Sequence, residues 1–568
     1  MRRSFAGLLV PAATIVAAGA ALLAGLPSAR QVLPPQTPDP TPALVSGVSH
    51  VHSSRSDGTG SPDEIAAAAA RAGLDFVIFT DHGDATREPD PPQYRSGVLC
   101  LDAVEISTTG GHYIAVGLPR APYPLGGEPR DVVEDVRRLG GFGIVAHPHS
   151  DKPELQWQDW DAPVDAVEWL NGDSEWRDES FARLARAVAT YPVRPVETVA
   201  SLLDRPEATL RRWDELTADR PIVGLPGSDA HARLGWGGEA DEPYRRRVLL
   251  RIPSYETLFS VFSMRVELAR PWSGVAADAA ASLLTALRGG RLHSVVDGLA
   301  GPAALEFVAR SGSREARQGQ TLVPDGPVTV SVRSNGPPGT SIALLRGGVP
   351  LSEVQARELR MEIPPGPAVL RVEVRLGDDP SSVPWIVSNP IYLLSPVGPQ
   401  PPEPVGGEGE PDEEVRLDVP GAERGWHFEQ SPASSGALER EGDGPTRVRY
   451  TLAAETTGAF VALTVPAPEL PRFERVSMRA SVEAPMRLSV QLRRPDGADG
   501  QRWRRSVYLD GTPRDIVVSF REMTPIGAAE TPTPDMPRVG DLLLTVDTVN
   551  AAPGTSGAFS FEHLRLER

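Results

Sequence analysis

The character of the sequence changes at Gly298, and this change constrains the fold more than any other feature. Between Leu44 and Gly298, short apolar runs such as residues 76–80 and 143–146 alternate with stretches of helical periodicity. Strands that alternate with helices favour a parallel sheet or barrel. Beyond Gly298, turn residues separate the apolar runs and no helical stretch intervenes, which is typical of β-sandwiches.

The length of the chain predicts several domains, because 568 residues exceed what one hydrophobic core can organise. We expect an α/β domain at residues 44–298, a small β-sandwich at 299–394, a linker rich in Pro, Gly and Glu at 395–414, and a second all-β domain at 415–568. The last domain is similar to a galactose-binding-type β jelly roll. Its Trp426, Trp503 and Tyr508 are candidates for stacking on a glycan, although core packing is the expected role of at least two.

The N-terminus has the pattern of an export segment. Arg2 and Arg3 precede an uncharged stretch from Ser4 to Ala29, as in a secretory signal peptide. The stretch is also long enough to span a bilayer, which takes about twenty residues. We therefore interpret residues 1–29 as either a cleaved signal peptide or a membrane anchor, followed by a proline-rich tether at 30–43. Either interpretation predicts an exported protein, secreted or held at the membrane outside the cytoplasm.

Charge and cysteine content exclude two classes of site. The formal net charge is -18, which argues against an extended nucleic-acid surface, since such a surface is normally basic. Cys100 is the single cysteine of the chain. The chain therefore forms no internal disulfide and no cysteine-rich metal site.

Imidazoles and carboxylates recur where the predicted strands of residues 44–298 end. His50 and His52 form a His-x-His pair, which a strand directs to one side. In a barrel, the strand ends converge on one face. Such ligands without thiols suit zinc, manganese or iron, and their number suggests two or three divalent ions. The candidate metal ligands are His50, His52, Asp57, His82, Glu105, His112, His147, Asp229 and His231.

These residues lie in motifs that resemble, in order, those of the PHP (polymerase and histidinol phosphatase) superfamily. The resemblance implies a distorted (β/α)7 barrel with a trinuclear metal site formed by the nine residues above. It also implies that Glu105 bridges two metals and that Asp81 orients a ligand. The matching segments are His50-Val51-His52, Ser56-Asp57-Gly58, Thr80-Asp81-His82, His147-Pro148 and Gly227-Ser228-Asp229-Ala230-His231.

Two further segments resemble a subgroup, the CehA/McbA metallohydrolases. They are Glu105-Ile106-Ser107-Thr108 with Gly111-His112-Tyr113, and Val167-Glu168-Trp169 with Asn171-Gly172. That group includes carbamate ester hydrolases beside PHP phosphoesterases. Glu168 is either a neighbour of the metal ligands or a surface carboxylate.

We predict a metal-dependent hydrolase that attacks a small phosphomonoester or phosphodiester with a metal-activated hydroxide. The resemblance to the PHP superfamily implies a nucleotide or short oligonucleotide as a substrate. Asp57, His82 and His231 are the predicted catalytic residues. Arg55, Arg233 and His149 lie in loops that leave the predicted catalytic face, so they are candidates for binding the substrate. One alternative is hydrolysis of a carboxylic or carbamate ester by the same machinery. Another is a non-catalytic surface protein that binds glycans, against which the intact ligand set argues.

Overall fold

The protein is multidomain and strand-rich, with few helices. The computed structural model describes residues 25–34, 43–177, 179–238, 246–395, 413–419, 421–440, 444–454, 458–467, 470–494, 501–527 and 531–568. Most of the predicted export segment and most of the predicted linker at 395–414 lie outside these ranges. Within them, no helix is both long enough and apolar enough to cross a membrane.

The N-terminal unit contains all the α-helices of the described ranges. They are α1 (Pro62–Arg71), α2 (Pro129–Arg138), α3 (Phe181–Thr190), α4 (Pro195–Ala200), α5 (Glu207–Asp219), α6 (Tyr255–Phe259) and α7 (Ala276–Arg288). Its strands are β1 (Gln31–Val32), β2 (Ala43–Val51), β3 (Phe76–Phe79), β4 (Gln93–Arg95), β5 (Val98–Asp102), β6 (Val104–Thr108), β7 (Gly111–Val116), β8 (Phe142–Val145), β9 (Ala166–Asn171), β10 (Val223–Ala230), β11 (Leu234–Gly238), β12 (Arg246–Leu250), β13 (Ser263–Leu268) and β14 (Leu292–Val295).

The central strands of this unit pair in a closed ring. Parallel pairs join β2 to β3, β3 to β5, β8 to β9, β9 to β10, and β10 back to β2. Only Ala103 separates β5 from β6, and β7 lies antiparallel between β6 and β8. The C-terminal ends of the parallel strands and the N-terminal end of β7 therefore lie on the same side of the ring.

Local sequence explains the helix that leads into this ring. The Ser61 side chain accepts a hydrogen bond from the Glu64 backbone, and the Glu64 carboxylate accepts one from the Ser61 backbone, which forms a capping box. Pro62 opens α1, and Ile65 and Ala69 are buried. Helix α1 thus covers one side of the ring, as the cap and the apolar spacing of the sequence predict.

Two further strands connect the ring to the second unit. Strand β13 pairs with β2 and β14, and β14 pairs with a strand of the second unit. The strands of that unit are β15 (Ala300–Gly301), β16 (Leu305–Ser311), β17 (Arg314–Arg317), β18 (Thr321–Leu322), β19 (Val328–Ser334), β20 (Thr340–Arg346), β21 (Val349–Val354), β22 (Glu358–Ile363), β23 (Ala368–Leu376), β24 (Ile386–Ser388) and β25 (Ile391–Leu393). A four-stranded sheet in the order β17-β16-β19-β22 faces β20, β23 and their neighbours. Phe307, Val330, Leu344 and Val372 belong to the core that the two sheets share.

Part of the segment predicted as a proline-rich tether contacts this unit. Gln31 and Val32 pair in parallel with Ala300 and Gly301. Leu33 is buried in the core of the second unit. Residues 31–33 of the predicted proline-rich tether are therefore extended and in contact with the second unit, where the burial of Leu33 is favourable.

A buried ion-pair cluster fastens the second unit to α5. Arg371 donates to Asp214 at 2.6 and 2.9 Å and to Glu373 at 2.8 Å. Arg205 also pairs with Glu373. Burial alone raises the pKa of Glu373, but the two arginines outweigh it and lower this pKa to about 2. The carboxylate therefore stays ionised in the folded chain to low pH.

Acid should weaken this attachment. A folded-state pKa below the ordinary value of 4.5 gives stability that is present above about pH 4.5 and is lost as the pH falls toward 2. We expect Glu373→Gln to be less stable than the wild type at pH 7, and the difference to shrink by on the order of 3 kcal/mol between pH 4.5 and pH 2. Urea unfolding at several pH values measures this difference. A difference that is the same at pH 7 and pH 2 would contradict the assignment.

The C-terminal unit consists of two facing sheets. Its strands are β26 (Glu414–Arg416), β27 (His427–Gln430), β28 (Ser435–Glu439), β29 (Thr446–Thr451), β30 (Phe460–Pro466), β31 (Arg475–Val482), β32 (Met486–Arg493), β33 (Arg502–Leu509), β34 (Arg514–Ser519), β35 (Thr524–Ile526), β36 (Asp541–Asp547) and β37 (Ser556–Glu567). One sheet has the order β28-β29-β37-β31-β34, with β26 beside β37, and the other has the order β27-β30-β36-β32-β33-β35. The predicted multidomain chain with a C-terminal β domain is confirmed at this level.

The three aromatic residues proposed for glycan stacking have packing roles. Trp503 is fully buried in the core, and Trp426 packs against Phe561 with ring centroids 5.9 Å apart. Tyr508 stacks on Tyr123 of the N-terminal unit. Each ring is already in contact with the protein, so the three do not form an open platform for a sugar.

Arginines on β32 and β33 hold this unit against α2. The buried Arg487 donates to Asp131, Glu134 and Asp135 of α2 at 2.9–3.0 Å. Its neighbours on β33 add ion pairs from Arg504 to Glu128 and from Arg505 to Asp131. Because α2 packs on β7 and β8, the C-terminal unit braces the wall of the ring that these two strands form.

Candidate metal centre

The nine candidate ligands lie together at one end of the ring. His50 and His52 come at the end of β2, His82 follows β3, and His147 follows β8. His112 is near the start of its strand, yet it reaches the same end because β7 runs antiparallel to its neighbours. Glu105 of β6, Asp229 of β10, and Asp57 and His231 of the following loops complete the set.

Glu105 is the centre of the cluster. Its Oε2 lies 3.3 Å from His50, 3.2 Å from His52 and 3.3 Å from His82. Its Oε1 lies 2.8 Å from His112 and 3.1 Å from His147. One buried carboxylate thus contacts five imidazoles, which is the arrangement expected of a residue shared between ions.

The ligand atoms divide into four overlapping groups, each compact enough for one ion. Within each group, all ligand atoms lie within 4.8 Å of one another. Two ligands of a tetrahedral ion with bonds of about 2.1 Å are about 3.4 Å apart, close to the 3.3 Å that separates His50 Nε2 from Asp229 Oδ1. The groups are His52, Asp57, His82 and His231; His50, His52 and Asp229; His50, Glu105 and His147; and His82, Glu105 and His112.

Several imidazoles are held by the ring nitrogen that faces away from the cluster. His50 Nδ1 is 2.7 Å from the Glu168 carboxylate, His147 Nδ1 is 3.3 Å from the Leu155 carbonyl, and His231 Nδ1 is 2.9 Å from the Asp229 carbonyl. These acceptors keep the proton on Nδ1 and direct the lone pair of Nε2 inward. A fixed outer nitrogen of this kind is characteristic of metal-binding histidines.

The ring nitrogens that face into the cluster lack hydrogen-bond partners and are suited to binding a cation. His50 Nε2, both ring nitrogens of His52 and Glu105 Oε2 are buried and have no hydrogen-bond partner among the described residues. Buried polar atoms are normally satisfied, so this many unsatisfied atoms in one place requires an explanation. Divalent ions would supply the missing bonds, since neutral imidazole nitrogens and carboxylates are the donors that zinc, manganese and iron accept.

The carboxylates of the cluster favour positive charge beside them. Burial lowers the pKa of His52, but the nearby carboxylates of Asp229 and Glu105 raise it to about 10. Burial raises the pKa of Glu105, but the surrounding histidines hold it well below its ordinary range. The carboxylates of this end of the ring are therefore ionised and attract positive charge.

Three of the ligand residues have left-handed backbone conformations. The φ angles are 60° at His50, 30° at His147 and 47° at Asp229. Residues other than glycine rarely adopt this conformation, and it costs about 1–3 kcal/mol where the surrounding structure enforces it. Such conformations cluster at functional sites, and here they aim three side chains into the cluster.

The accessible edge of the cluster is formed by His82, His112 and His231. Their side chains are 10–14% exposed, whereas those of His50 and His52 are fully buried. A cavity of about 350 Å³ opens beside His82 and a cleft of about 190 Å³ beside His147. A substrate would therefore reach the cluster from these sides.

The residues predicted to bind the substrate have different surroundings. Arg233 donates to the Asp57 carboxylate at 2.7 Å, so it contacts the cluster directly. Arg55 pairs with Asp90 and lines the cavity beside His82, while His149 lies 3.0 Å from the Thr209 hydroxyl in the cleft beside His147. Arg55 and His149 have no direct contact with a candidate ligand among the contacts described.

The sequence offers little or no indication that several residues contact the candidate ligands. Glu168 is fully buried and receives hydrogen bonds from the His147 backbone and the Asn171 side chain as well as from His50. The Tyr255 hydroxyl donates to the His52 carbonyl at 2.8 Å, a role for which the sequence gave no signal. Asp81 accepts hydrogen bonds from Ser53 and Ser56 and so fixes the loop that carries Asp57.

Fold and site together define a multidomain, strand-rich protein with a cluster of side chains suited to divalent metal ions. An uncharacterised protein of Methanocaldococcus jannaschii is 30% identical to this chain over 118 residues, which are 20% of this chain and 68% of that protein. The chain belongs to the family of this archaeal protein. No protein-family profile matches the chain.

Solved structures similar to this chain fall into two groups. A two-domain protein of Bacteroides vulgatus, which contains a predicted PHP-like metal-dependent phosphoesterase, is 14% identical, with 64% of this chain and 99% of that chain covered and a TM-score of 0.30. A family 11 carbohydrate-binding module of a Clostridium thermocellum cellulase is 15% identical, with 27% and 94% covered and a TM-score of 0.23. Both scores are low, and the site described above stands on its own geometry.

Proposed function

We propose that this protein is a metal-dependent hydrolase of phosphoesters, with two or three divalent ions at the end of the ring. The observation that carries the proposal is the position of Glu105, whose two oxygens contact five histidines within 3.3 Å. In this proposal the closed ring is the distorted (β/α)7 barrel of the PHP superfamily, and its nearest subgroup is the CehA/McbA metallohydrolases.

Bound ions would supply Lewis acidity for an attacking water and positive charge opposite the oxygens of the substrate. The residues of the chain hold and orient these ions. Glu168, the Leu155 carbonyl and the Asp229 carbonyl fix the tautomers of three histidines. His82 and His231 lie at the accessible edge, where the reacting bond of a substrate can approach, and the buried Asp57 contacts both.

A phosphoester is favoured by the number of overlapping ligand groups. Adjacent ions about 3.5–4 Å apart can hold both the attacking and the leaving oxygen of a phosphoryl group. The four groups share His50, His52, His82 and Glu105, so neighbouring ions would be close enough for this. A small phosphomonoester or phosphodiester, such as a nucleotide or short oligonucleotide, is the proposed substrate class.

A carboxylic or carbamate ester is the second candidate, favoured by the state of the nearby arginines. Arg55 is paired with Asp90, Arg87 with Asp102, and Arg233 with Asp57. Each guanidinium thus already has a carboxylate partner, whereas a phosphate site usually offers a cation to the substrate. The same ions would activate water toward either kind of ester.

Metal content and substrate class can be measured together. We expect two or three zinc, manganese or iron ions per chain by mass spectrometry, with turnover in a panel of chromogenic phosphomonoesters, phosphodiesters and carboxylic esters. Asp229→Asn should lose metal and at least about 10³-fold in turnover, because several kcal/mol of charge stabilisation depend on the ions. The exposed Asp219→Asn at the end of α5 is the matched control.

The outcomes separate the candidates. Bound metal with turnover of carboxylic esters alone would replace the phosphoester proposal by the second candidate. A chain that binds no metal even after reconstitution would overturn both. Binding of glycans without any turnover would favour the non-catalytic alternative, although the packed Trp426, Trp503 and Tyr508 offer no open sugar platform.

We also propose that the protein is exported. The sequence of residues 1–29 supports this through its basic start and uncharged run. Export would place the metal centre outside the cytoplasm, in a secreted or membrane-held protein.

A further inference from the structure

Helix α3 exposes an apolar side to solvent. Phe181 is 86% exposed and Val188 is 73% exposed. Ala185 lies on the same side, four residues after Phe181 and three before Val188. Amphipathic helices of soluble proteins normally bury such a side, and no described residue covers this one.

Further exposed apolar residues lie just beyond α3 and in the segment that leads to Ser254. Val193, just beyond the helix, is 51% exposed, and Leu250 and Ile252 are 55% and 36% exposed. The Ser254 backbone donates to the Tyr191 hydroxyl at 3.2 Å, which places Ser254, two residues after Ile252, beside the C-terminal end of α3. We call Phe181, Val188, Val193, Leu250 and Ile252 the apolar rim. Groups of large exposed apolar residues usually mark an interaction surface.

The N-terminal segment leaves the described structure beside α3. Arg186 of α3 donates to the Gly25 carbonyl at 2.6 Å, and Arg194 donates to the Pro27 carbonyl at 2.6 Å. These contacts fix the exit of the chain against α3 and its C-terminal connection. The residues that precede Gly25 are uncharged back to Ser4.

We propose that the apolar rim rests on a lipid bilayer, the same bilayer that receives the N-terminal run. The inference rests on the proposed export segment acting as an anchor and is independent of the proposed catalytic activity. A helix with exposed aromatic and aliphatic residues on one side and arginines on another is typical of helices that lie in the membrane interface. Helix α3 contains two arginines and no acidic residue.

The N-terminal run is a poorer occupant of this surface than a bilayer. As a helix, residues 4–24 would extend about 30 Å, whereas the ten residues of α3 extend about 15 Å. A segment that is apolar on all sides would leave most of its own surface in water if it packed on α3. A bilayer accommodates the run and the apolar rim at once.

A lipid-borne quencher tests the proposal on the full chain. Val188→Cys is labelled with an environment-sensitive fluorophore, and the protein is reconstituted in vesicles of phosphatidylcholine and phosphatidylglycerol that carry nitroxide lipids. The matched control is Val349→Cys, which replaces a valine of similar exposure, 68%, in the second unit. Native Cys100 is buried, and burial raises the pKa of its thiol to about 11, so it should remain unlabelled.

We expect the label at position 188 to shift to shorter emission wavelengths and to be quenched at least about twofold more than the label at position 349. Equal quenching at the two positions would overturn the proposal. A blue shift at position 188 without quenching by the nitroxide lipids would also overturn it, and would indicate that protein, either the N-terminal run or a second copy, covers the apolar rim. Turnover measured on the same vesicles reports the proposed activity separately.

Discussion

Replacing Glu105 by glutamine should remove at least one metal ion and lower turnover by about 10³-fold or more. The amide keeps the shape of the side chain, but it removes the negative charge that faces His50, His52 and His82 at 3.2–3.3 Å. It also places an N–H group against imidazole nitrogens, which cannot accept a hydrogen bond and bind an ion at once. A loss of several kcal/mol in stabilisation of the transition state corresponds to a factor of this size. Metal analysis and kinetics on the purified variant measure both effects.

Two further variants make the Glu105 result specific. Glu168→Gln removes the charge that faces His50 and alters the hydrogen bonds that orient His50, the His147 backbone and Asn171, but it removes no candidate ligand, so a loss of about 10–100-fold is expected. Glu362→Gln, on an exposed position of β22, should change neither metal content nor turnover. Full metal content and unchanged turnover in Glu105→Gln would exclude the cluster as the reaction site.

Replacing Arg487 by alanine should destabilise the junction between the N-terminal and C-terminal units by about 3–5 kcal/mol. The guanidinium is buried and donates to three carboxylates of α2 and to the Ser506 hydroxyl at 2.7 Å. Its removal leaves Asp131 and Asp135, both almost fully buried, with less compensating charge, and uncompensated buried charge is costly. The midpoint of urea unfolding, followed by tryptophan fluorescence and by proteolysis, measures the loss.

An exposed ion pair supplies the control for Arg487. Arg521 is 80% exposed and contacts Glu474 at 3.2 Å. Arg521→Ala should cost about 1 kcal/mol or less, because exposed pairs gain little in water. Similar midpoints for the two variants would show that the arginines of β32 and β33 contribute little to the junction.

Much of the site was predictable because its residues recur in a fixed relation to the strands. His50, His52, His82 and His147 each lie at the end of a strand that apolar residues define, and parallel strands must bring their ends together. The cap of α1 at Ser61 was predictable for a similar reason, since the capping box involves residues only three positions apart. Local patterns of this kind are visible without knowledge of the tertiary structure.

The sequence offers little or no signal for several other contacts between distant residues. Glu168 meets His50 across 118 positions, and Tyr255 meets His52 across 203. Leu33 packs into the core of a unit that begins nearly 270 residues later, and the two residues before it pair with the first strand of that unit. In each case the sequence shows a plausible surface or spacer residue, and only the packing of the folded chain reveals the partner.

The left-handed backbone at His50, His147 and Asp229 means that some substitutions that abolish function would stabilise the fold. Glycine adopts this conformation at little cost, so a glycine at any of the three positions would relieve strain of about 1–3 kcal/mol while it removes a ligand. Stability and chemistry therefore oppose each other at these positions. In a descendant released from selection for catalysis, glycine would be favoured there, and its presence in a relative would mark a lineage in which the metal centre has decayed.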